Sequence, residues 1–180
     1  VEARWPGTPW IGVELSRSLS RPFIPGMRDP VLDRGWVDID SIASVDLSSD
    51  GRTNPMVNSG AIATVSLAPG ATLDERWDYV HAGISCFAGR PLDLDDEVLE
   101  SASATNLRNR AIAATLFARG RVVGDPSDAV ALYTRQSCLR VSARDLAVMG
   151  ATLAAGGVNP LTHERAASAA TCRLVLAVMA

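Results

Sequence analysis

Apolar residues recur at helical spacing through most of the chain after residue 54. The clearest run has successive members four or three positions apart: Leu73, Trp77, Val80, Ile84 and Phe87. This spacing places the apolar side chains along one face of a helix. The segment Thr72-Leu73-Asp74-Glu75 has the pattern of a capping box, and Gly89 follows the run as a stop signal. We therefore predict an amphipathic helix between Thr72 and Gly89.

Start and stop signals predict further helices on both sides of this one. A helix is expected to open at Asn54-Pro55, with proline in its first turn, and to end near Pro69-Gly70. Three acidic residues at positions 95–97 suit the N-terminus of another helix, since negative charge is favourable at that end of a helix. The segment 106–119 favours a helix that ends at Gly120.

The C-terminal third carries three more helix starts. Asp125-Pro126 is an N-cap followed by proline at the first helical position. Ser142 caps the next helix, and Gly156-Gly157 ends it. Ser168 begins the last helix, which runs to the end of the sequence. We expect its apolar positions to be buried: Leu174, Leu176 and Val178.

The first 52 residues have a different pattern. They are rich in Pro, Gly, Ser and Arg, and they contain short, weakly alternating stretches at positions 36–39 and 43–47. Such stretches favour irregular or β-like structure. There is no internal repeat and no linker long enough to separate domains, so we expect a single domain.

Composition narrows the classes of function. The chain has 180 residues, of which 47% are hydrophobic and 21% are charged, which is typical of a soluble globular domain with one core. Its 17 basic and 20 acidic residues give a net charge of -3, so it has no basic excess for a nucleic-acid partner. All 17 basic residues are arginine. These 180 residues therefore cannot supply a lysine base for catalysis.

Cysteine, histidine and hydropathy give further expectations. Cys86, Cys138 and Cys172 are odd in number and widely spaced, which favours buried thiols over disulfides. Only two histidines occur, without a metal-binding spacing, so we expect no metal site. No apolar run is long enough to span a bilayer, and no signal peptide opens the chain. We expect a cytoplasmic protein with no membrane partner, and both ends of the sequence suggest a fragment.

Three polar positions inside predicted helices are candidates for chemistry. Asn58 follows Asn54-Pro55 in an apolar run, where a buried amide without a partner would cost about 1–3 kcal/mol. Its partner could be protein or ligand. Asn109 could equally lie on a solvated face between two arginines, and Tyr133 could be a core aromatic residue with its hydroxyl at the surface.

Taken together, the blocks around these positions resemble the serine-dependent glutaminases, which share the fold of β-lactamases and penicillin-binding proteins. The most specific blocks are residues 51–62, the pair Arg108-Asn109, and the segment from Tyr133 to Thr162. The resemblance implies an α+β fold: a partial β-lactamase/transpeptidase-like fold, chiefly its helical part with a remnant of the antiparallel sheet. It implies one truncated domain over residues 1–180, in which residues 1–40 are divergent or irregular and 41–180 match the family.

The resemblance also implies an activity, which is hydrolysis of L-glutamine to L-glutamate and ammonia without a metal or organic cofactor. Asn58, Asn109 and Tyr133 match the family's substrate-binding positions. Their side chains suit an amino acid, because an amide both donates and accepts hydrogen bonds and a phenol can donate to a carboxylate. A homo-oligomer is common among such enzymes and is an expectation here.

One binding position departs from the family. Glutaminases of this type have a glutamate seven residues before the second asparagine, and Ala102 stands there in this sequence. Loss of a charge-assisted hydrogen bond to the substrate ammonium would weaken binding about 10- to 150-fold. Glu100 is two residues away, and a two-residue shift along a helix turns a side chain well away from the first direction.

The nucleophile departs further. The family uses a Ser-x-x-Lys motif, in which lysine helps to deprotonate the serine. Ser18 to Arg21 has that outline with arginine in place of lysine, but a guanidinium keeps its proton near neutral pH. In the competing alignment, Gly12-Val13-Glu14 matches a block that follows the nucleophile, so the motif would lie upstream of Val1. Both assignments remain open.

Two functional classes follow from these residues. The first is an enzyme, a glutaminase that acts through a serine acyl-enzyme. The second is a non-catalytic glutaminase-like remnant that serves as an amino-acid-binding or interaction module. The lysine-free composition favours the second class, and the length of the matching blocks favours descent from the first. An unrelated helical domain is a third and weaker alternative.

Overall fold

The computed structural model of the chain describes residues 55–180, and this part is built from α-helices. Seven helices occur among these residues. In chain order they are α1 (Asn58–Val65), α2 (Leu73–Ala88), α3 (Asp96–Ala104), α4 (Leu107–Ala118), α5 (Pro126–Ser137), α6 (Ala143–Ala154) and α7 (Ala169–Met179). The strongest local signals in the sequence set most of these boundaries.

The helix predicted from the Leu73 to Phe87 spacing is confirmed as α2. The hydroxyl of Thr72 accepts a hydrogen bond from the Glu75 amide at 3.2 Å, and the Glu75 carboxylate accepts from the Thr72 amide, which completes the capping box. Gly89 ends the helix with a positive φ of 74°. A side chain is strained in that conformation, so glycine suits the position.

The other predicted N-caps are also confirmed. Asp125 accepts from the Ser127 amide with Pro126 at the start of α5, and Ser142 accepts from the Asp145 amide at the start of α6. The remaining two caps follow the same pattern: Asp95 at α3 and Ser168 at α7. These side chains satisfy backbone amides that have no partner within the first turn of a helix.

The first helix is shorter than the sequence predicts. Pro55 and Met56 lie in a turn, Val57 is extended, and α1 begins at Asn58 and not at Asn54-Pro55. It ends at Val65, several residues before Pro69, and the hydroxyl of the next residue, Ser66, makes two hydrogen bonds. The hydroxyl donates to the Ala63 carbonyl at 2.7 Å and accepts from the Val123 amide at 3.1 Å.

The predicted burial of the last helix is wrong. Leu174 and Val178 are half-buried, and Leu176 is 40% exposed. Helical spacing shows which residues share a face, but it does not show whether another element covers that face. The buried residues of α7 are Thr171 and Cys172 in its first turn.

The predicted remnant of antiparallel sheet is not confirmed by the described residues. Within residues 55–180 the only β pairing consists of two isolated antiparallel bridges, Leu94 with Leu139 and Val158 with Arg165. The irregular or β-like stretches predicted before residue 52 lie outside the described residues. The described part is therefore helical, and the coarser expectation of a mostly helical chain is confirmed.

Helices α1, α4 and α5 pack around an apolar core, and we refer to them as the apolar trio. The residues of this core come from the three helices and from Val122 just before α5. They are Ile62, Ala63, Ile112, Ala113, Leu116, Val122, Ala129 and Val130. Ile62 and Leu116 are fully buried. Branched and small apolar side chains thus fill the space between these helices.

Helices α2, α6 and α7 are joined in a different way, and we refer to them as the polar-bonded group. Asn159 is fully buried after α6, and its side-chain amide donates to the carbonyls of Cys86 and Phe87 at the end of α2. Its oxygen accepts from the amides of Leu161 and Thr162. One side chain therefore joins α2 to the loop that leads to α7.

Two further buried polar residues hold α6 to the end of α2. The Thr152 hydroxyl, also fully buried, bonds to the carbonyls of Phe87 and Val148. The Asp145 carboxylate, 7% exposed, pairs with both Nε and Nη2 of Arg90 at 2.8 and 2.7 Å. These bonds, with those of Ser142, hold the pKa of Asp145 well below its ordinary value.

Close backbone packing also marks the polar-bonded group. Gly157 has a positive φ of 87°, and its amide donates to the Thr152 carbonyl. A Cβ atom at this position would lie 2.1 Å from the Ala167 carbonyl oxygen. Only glycine allows the chain to pass so close to itself.

The cysteines are free, as the sequence predicts, and two of the three are buried. Cys138 and Cys172 are buried, whereas Cys86 is only half-buried. Burial raises the pKa of all three thiols, so they remain protonated and weakly nucleophilic. None of them has the environment of a reactive cysteine.

Candidate functional site

The apolar trio brings together two of the three predicted substrate-binding residues. Asn58 is the first residue of α1, and Asn109 lies in the first turn of α4. Asn58 Nδ2 donates a hydrogen bond to Asn109 Oδ1 at 3.1 Å, although the two residues are 51 positions apart in sequence. Packing of α1 on α4 through Ile62 and Ile112 positions both amides at one end of the helix pair.

The surroundings of Asn58 differ from the sequence expectation. The apolar run predicts a buried amide, but Asn58 is exposed because the helix begins at this residue and the apolar positions follow it. The amide still has a protein partner, Asn109, which is half-buried. The pair therefore lies at the surface edge of the trio, with one face towards the protein and one towards solvent.

The Asn58–Asn109 pair continues inward through two more polar side chains. Asn109 Nδ2 donates to Asn106 Oδ1 at 2.6 Å, and Asn106 Nδ2 donates to the Thr134 hydroxyl at 2.6 Å. That hydroxyl donates to the Val130 carbonyl oxygen at 2.7 Å. A row of hydrogen bonds thus runs from the exposed start of α1, across α4, to the buried backbone of α5.

Asn106 and Thr134 are members of this site that sequence reasoning missed. Asn106 stands three residues before Asn109, and residues at this spacing share a helix face, which was the available signal. Thr134 follows Tyr133 directly, and nothing in its local pattern distinguishes it from a helix residue that bonds only to its own backbone. Its role depends on the way α4 packs on α5.

Tyr133, the third predicted residue, belongs to the same trio but not to the row of hydrogen bonds. It lies in α5, is half-buried, and packs against the apolar core. No hydrogen bond joins its hydroxyl to any side chain within residues 55–180. The structure thus places the tyrosine on the helix that also carries Thr134.

The position that departs from the family lies on α3. Ala102 is half-buried and Glu100 is exposed, and both belong to this helix, which packs against α5. Within the described residues, the Glu100 carboxylate makes no ion pair. Ser18, the candidate nucleophile, falls outside the described residues.

The described residues contain neither a cluster of metal ligands nor a helix suited to a membrane. No group of three or more His, Cys, Asp or Glu residues within positions 55–180 could hold a metal ion. None of the helices in the same range is long and apolar enough to cross a membrane.

The site can recognise a ligand through mixed hydrogen bonding. After the bond between them, Asn58 retains its amide oxygen and one N–H, and Asn109 retains one further N–H. With the Tyr133 phenol, these groups offer both donors and an acceptor on an apolar support. Such a set suits a small zwitterionic or amide-bearing molecule better than an apolar one.

Comparison with known proteins gives consistent results. A family model described as Glutaminase matches residues 37–180. A curated relative from Yersinia pestis named Glutaminase 2 is 60% identical over 139 residues, which make up 77% of this chain and 41% of the relative. The chain spans about half the length of the curated relatives that it matches.

Solved structures agree with the sequence relatives. A structure described as "Probable glutaminase ybaS" superposes with a TM-score of 0.77 at 35% identity, over 94% of this chain and 55% of that one. A second, described as Mglu in its L-glutamate binding form, gives a TM-score of 0.70 at 34% identity, over 83% of this chain and 37% of that one.

Proposed function

The chain belongs to the glutaminase family, and on that premise we propose that it forms part of an enzyme that hydrolyses L-glutamine to L-glutamate and ammonia. Asn58, Asn109 and Tyr133 bind the substrate in this proposal. The proposed domain is single, with residues 1–40 as a divergent or irregular part and residues 41–180 as the family-like part, and its fold includes a remnant of antiparallel sheet. The protein is proposed to be cytoplasmic and able to form a homo-oligomer.

The observation that carries the proposal is the 3.1 Å hydrogen bond between Asn58 and Asn109. The resemblance selected these residues from two separate blocks, and the fold brings them into contact. A substrate amide or ammonium needs an acceptor, a carboxylate needs donors, and the asparagine pair offers both. The relative described in an L-glutamate binding form adds support, since glutamate would be the product of the reaction.

The proposed chemistry is nucleophilic and uses no cofactor. A serine hydroxyl attacks the carboxamide carbon of glutamine, ammonia leaves, and water then cleaves the acyl-enzyme to release glutamate. Ser18 is the candidate within this sequence, and the alternative is a serine upstream of Val1. With Ser18, the arginine at position 21 cannot serve as the base.

A second candidate function is binding without catalysis. The observation that favours it is the complete absence of lysine from the 180 residues, because the family relies on lysine to activate its serine. Such a chain would keep the asparagine pair and bind an amino acid, but it would release no ammonia.

One experiment separates the two candidates. The full chain is incubated with L-glutamine, and ammonia release is measured beside binding by isothermal titration calorimetry. Asn58→Ala and Tyr133→Phe should each weaken binding about 2- to 12-fold, which corresponds to one hydrogen bond. Tyr79→Phe, at the only other tyrosine, is the matched control and should bind as the wild type does. Unchanged binding in both site variants would refute the pocket assignment.

A gain-of-binding variant tests the departure at Ala102. Ala102→Glu returns a carboxylate to the position where the family pairs with the substrate ammonium, and we expect about 10- to 150-fold tighter binding. Ala104→Glu, on the exposed end of the same helix, adds the same charge elsewhere and should have little effect. Equal affinities for the two variants would argue against the alignment of α3 with the family's glutamate block.

A further inference from the structure

The row of hydrogen bonds behind the asparagine pair has a fixed direction. Its inner end is the Val130 carbonyl oxygen, which can only accept, so the Thr134 hydroxyl must donate its single hydrogen there. The Thr134 oxygen is then an acceptor for Asn106, which must present its NH2 group to it. A backbone carbonyl therefore dictates the first amide orientation.

The constraint extends outward along the row to Asn109 and Asn58. Since Asn106 turns its NH2 group towards Thr134, its oxygen faces Asn109 and accepts from Asn109 Nδ2. The oxygen of Asn109 must then face Asn58 and accept from Asn58 Nδ2. An asparagine amide can otherwise be turned by 180° with little change of shape, so orientation needs such an external constraint.

We propose that Asn106 and Thr134 are positioning residues, which orient the amides of Asn109 and Asn58 for the ligand without touching it. The inference rests on the proposed function for the identity of the ligand. Thr134 is buried and Asn106 half-buried, whereas Asn58 is exposed, so the row runs from the protein interior to the binding surface. Bonds in such a row polarise one another, which strengthens the orientation at the exposed end.

Asn106 has no competing structural duty in its own helix. It stands at the N-cap of α4, but its side chain makes no capping hydrogen bond. Both side-chain hydrogen bonds of Asn106 belong to the row. The side chain of an N-cap residue usually accepts a hydrogen bond from a backbone amide of the first turn. The Asn106 side chain bonds to Asn109 and Thr134 instead, which points to a role in orienting Asn109.

The variants for the test change the row with little change of volume. Thr134→Val keeps the shape of the buried side chain and removes the hydroxyl, and Thr134→Ser keeps the hydroxyl and should restore the row. Asn106→Leu keeps a similar branched shape and removes both the acceptor for Asn109 and the donor to Thr134. Thr115→Val is the matched control, because the Thr115 hydroxyl bonds only to the Ala111 carbonyl of its own helix.

The test uses the full chain and two measurements. In nuclear magnetic resonance spectra, Thr134→Val and Asn106→Leu should shift the side-chain NH2 signals of Asn109 and Asn58, whereas Thr134→Ser and Thr115→Val should leave them in place. By calorimetry, the first two variants should bind L-glutamine at least about threefold more weakly, with wild-type affinity in Thr134→Ser and Thr115→Val.

The outcomes separate this inference from the proposed function. If the NH2 signals do not respond to Thr134→Val and Asn106→Leu, the row does not orient the pair and the inference is overturned. If the signals shift while the affinity for L-glutamine stays constant, the positioning role is overturned. If the wild-type chain binds no glutamine, the proposed function fails, and the NH2 signals alone still support or overturn the orientation of Asn58 and Asn109.

Discussion

The apolar trio and the polar-bonded group solve the same packing problem with different side chains. In the trio, helices α1, α4 and α5 meet through Ile62, Leu116 and their apolar neighbours. In the polar-bonded group, the fully buried side chains include Asn159 and Thr152, and their bonds end on backbone carbonyls of α2. Apolar contact is non-directional, whereas a hydrogen bond specifies both distance and angle.

This difference shows how much each region depends on geometry. An apolar core tolerates exchanges of its side chains that keep their total volume, so the three helices of the trio depend on shape, and hydrogen bonds enter only at the edge that carries the asparagine pair. A buried polar side chain must find its partners or lose free energy, so the polar-bonded group has one arrangement in which its bonds are satisfied.

Truncation of the trio's core should cost the most stability. We expect Leu116→Ala to lower the free energy of unfolding by about 2–5 kcal/mol, because it leaves a cavity among α1, α4 and α5. The measurement is chemical denaturation, with Leu107→Ala as the control, since Leu107 is 74% exposed on the same helix. Amide hydrogen exchange should accelerate more in the trio than in α6 and α7; equal acceleration would mean that the two regions open as one unit.

Removal of Asn159 should give the next largest effect. Asn159→Ala leaves the carbonyls of Cys86 and Phe87 without this donor, and the expected loss is about 1–3 kcal/mol. Leu161→Ala is the control in the same loop, at a side chain that is 54% exposed. Should the two variants unfold at the same denaturant concentration, the buried amide would not be what joins α2 to this loop.

Removal of a single hydroxyl should cost less stability, and the cost should be larger in the polar-bonded group than in the trio. Thr152→Val removes a hydrogen bond between helices and is expected to cost about 0.5–1.5 kcal/mol. Thr115→Val removes a bond within one helix of the trio and should cost less. Thermal unfolding of both variants measures the difference in stability. A larger loss of stability for Thr115→Val would contradict the stronger dependence of the polar-bonded group on its hydrogen bonds.

Acid should lower the free energy of unfolding through Asp145 of the polar-bonded group. Within the pH range that can be measured, we expect this effect to be the smallest of the four. Because Arg90 and Ser142 lower the pKa of Asp145 in the folded chain, the unfolded chain binds more protons as the pH falls below the ordinary value of 3.8. Stability is therefore fully present above that value and decreases below it. Between about pH 4 and pH 3 only the first part of this loss appears.

The pH dependence can be assigned with two variants. Unfolding curves at several pH values should show a flatter acid limb in Asp145→Asn than in the wild type. Asp78→Asn, at an exposed position of α2, should keep the wild-type slope. A wild-type slope in Asp145→Asn as well would assign the acid sensitivity to other carboxylates, such as Asp95, whose pKa is lowered beside Arg140.

The sequence predicts the features that depend on local signals. The capping box at Thr72, the N-caps at Asp125 and Ser142 and the glycine stop after α2 are confirmed, because each involves residues within one or two turns. The prediction that Leu176 is buried is wrong, because burial depends on whether another element covers that face of the helix. The resemblance selects Asn58 and Asn109 as pocket positions, but it does not predict their contact. That contact and the bond between Asn106 and Thr134 depend on helix packing, which no local pattern encodes.

Helix α5 borders α1, α2, α3 and α4, and three consecutive residues show how it does so. Tyr133 packs on the apolar core, Thr134 bonds to Asn106 of the α4 N-cap, and Arg135 lies over the Trp77 ring of α2. Each residue advances a helix by about 100°, so a single deletion or insertion in α5 would turn all three contacts away together. Substitutions there can be absorbed one at a time, whereas a change of length cannot, and this helix should keep its length as the sequence diverges.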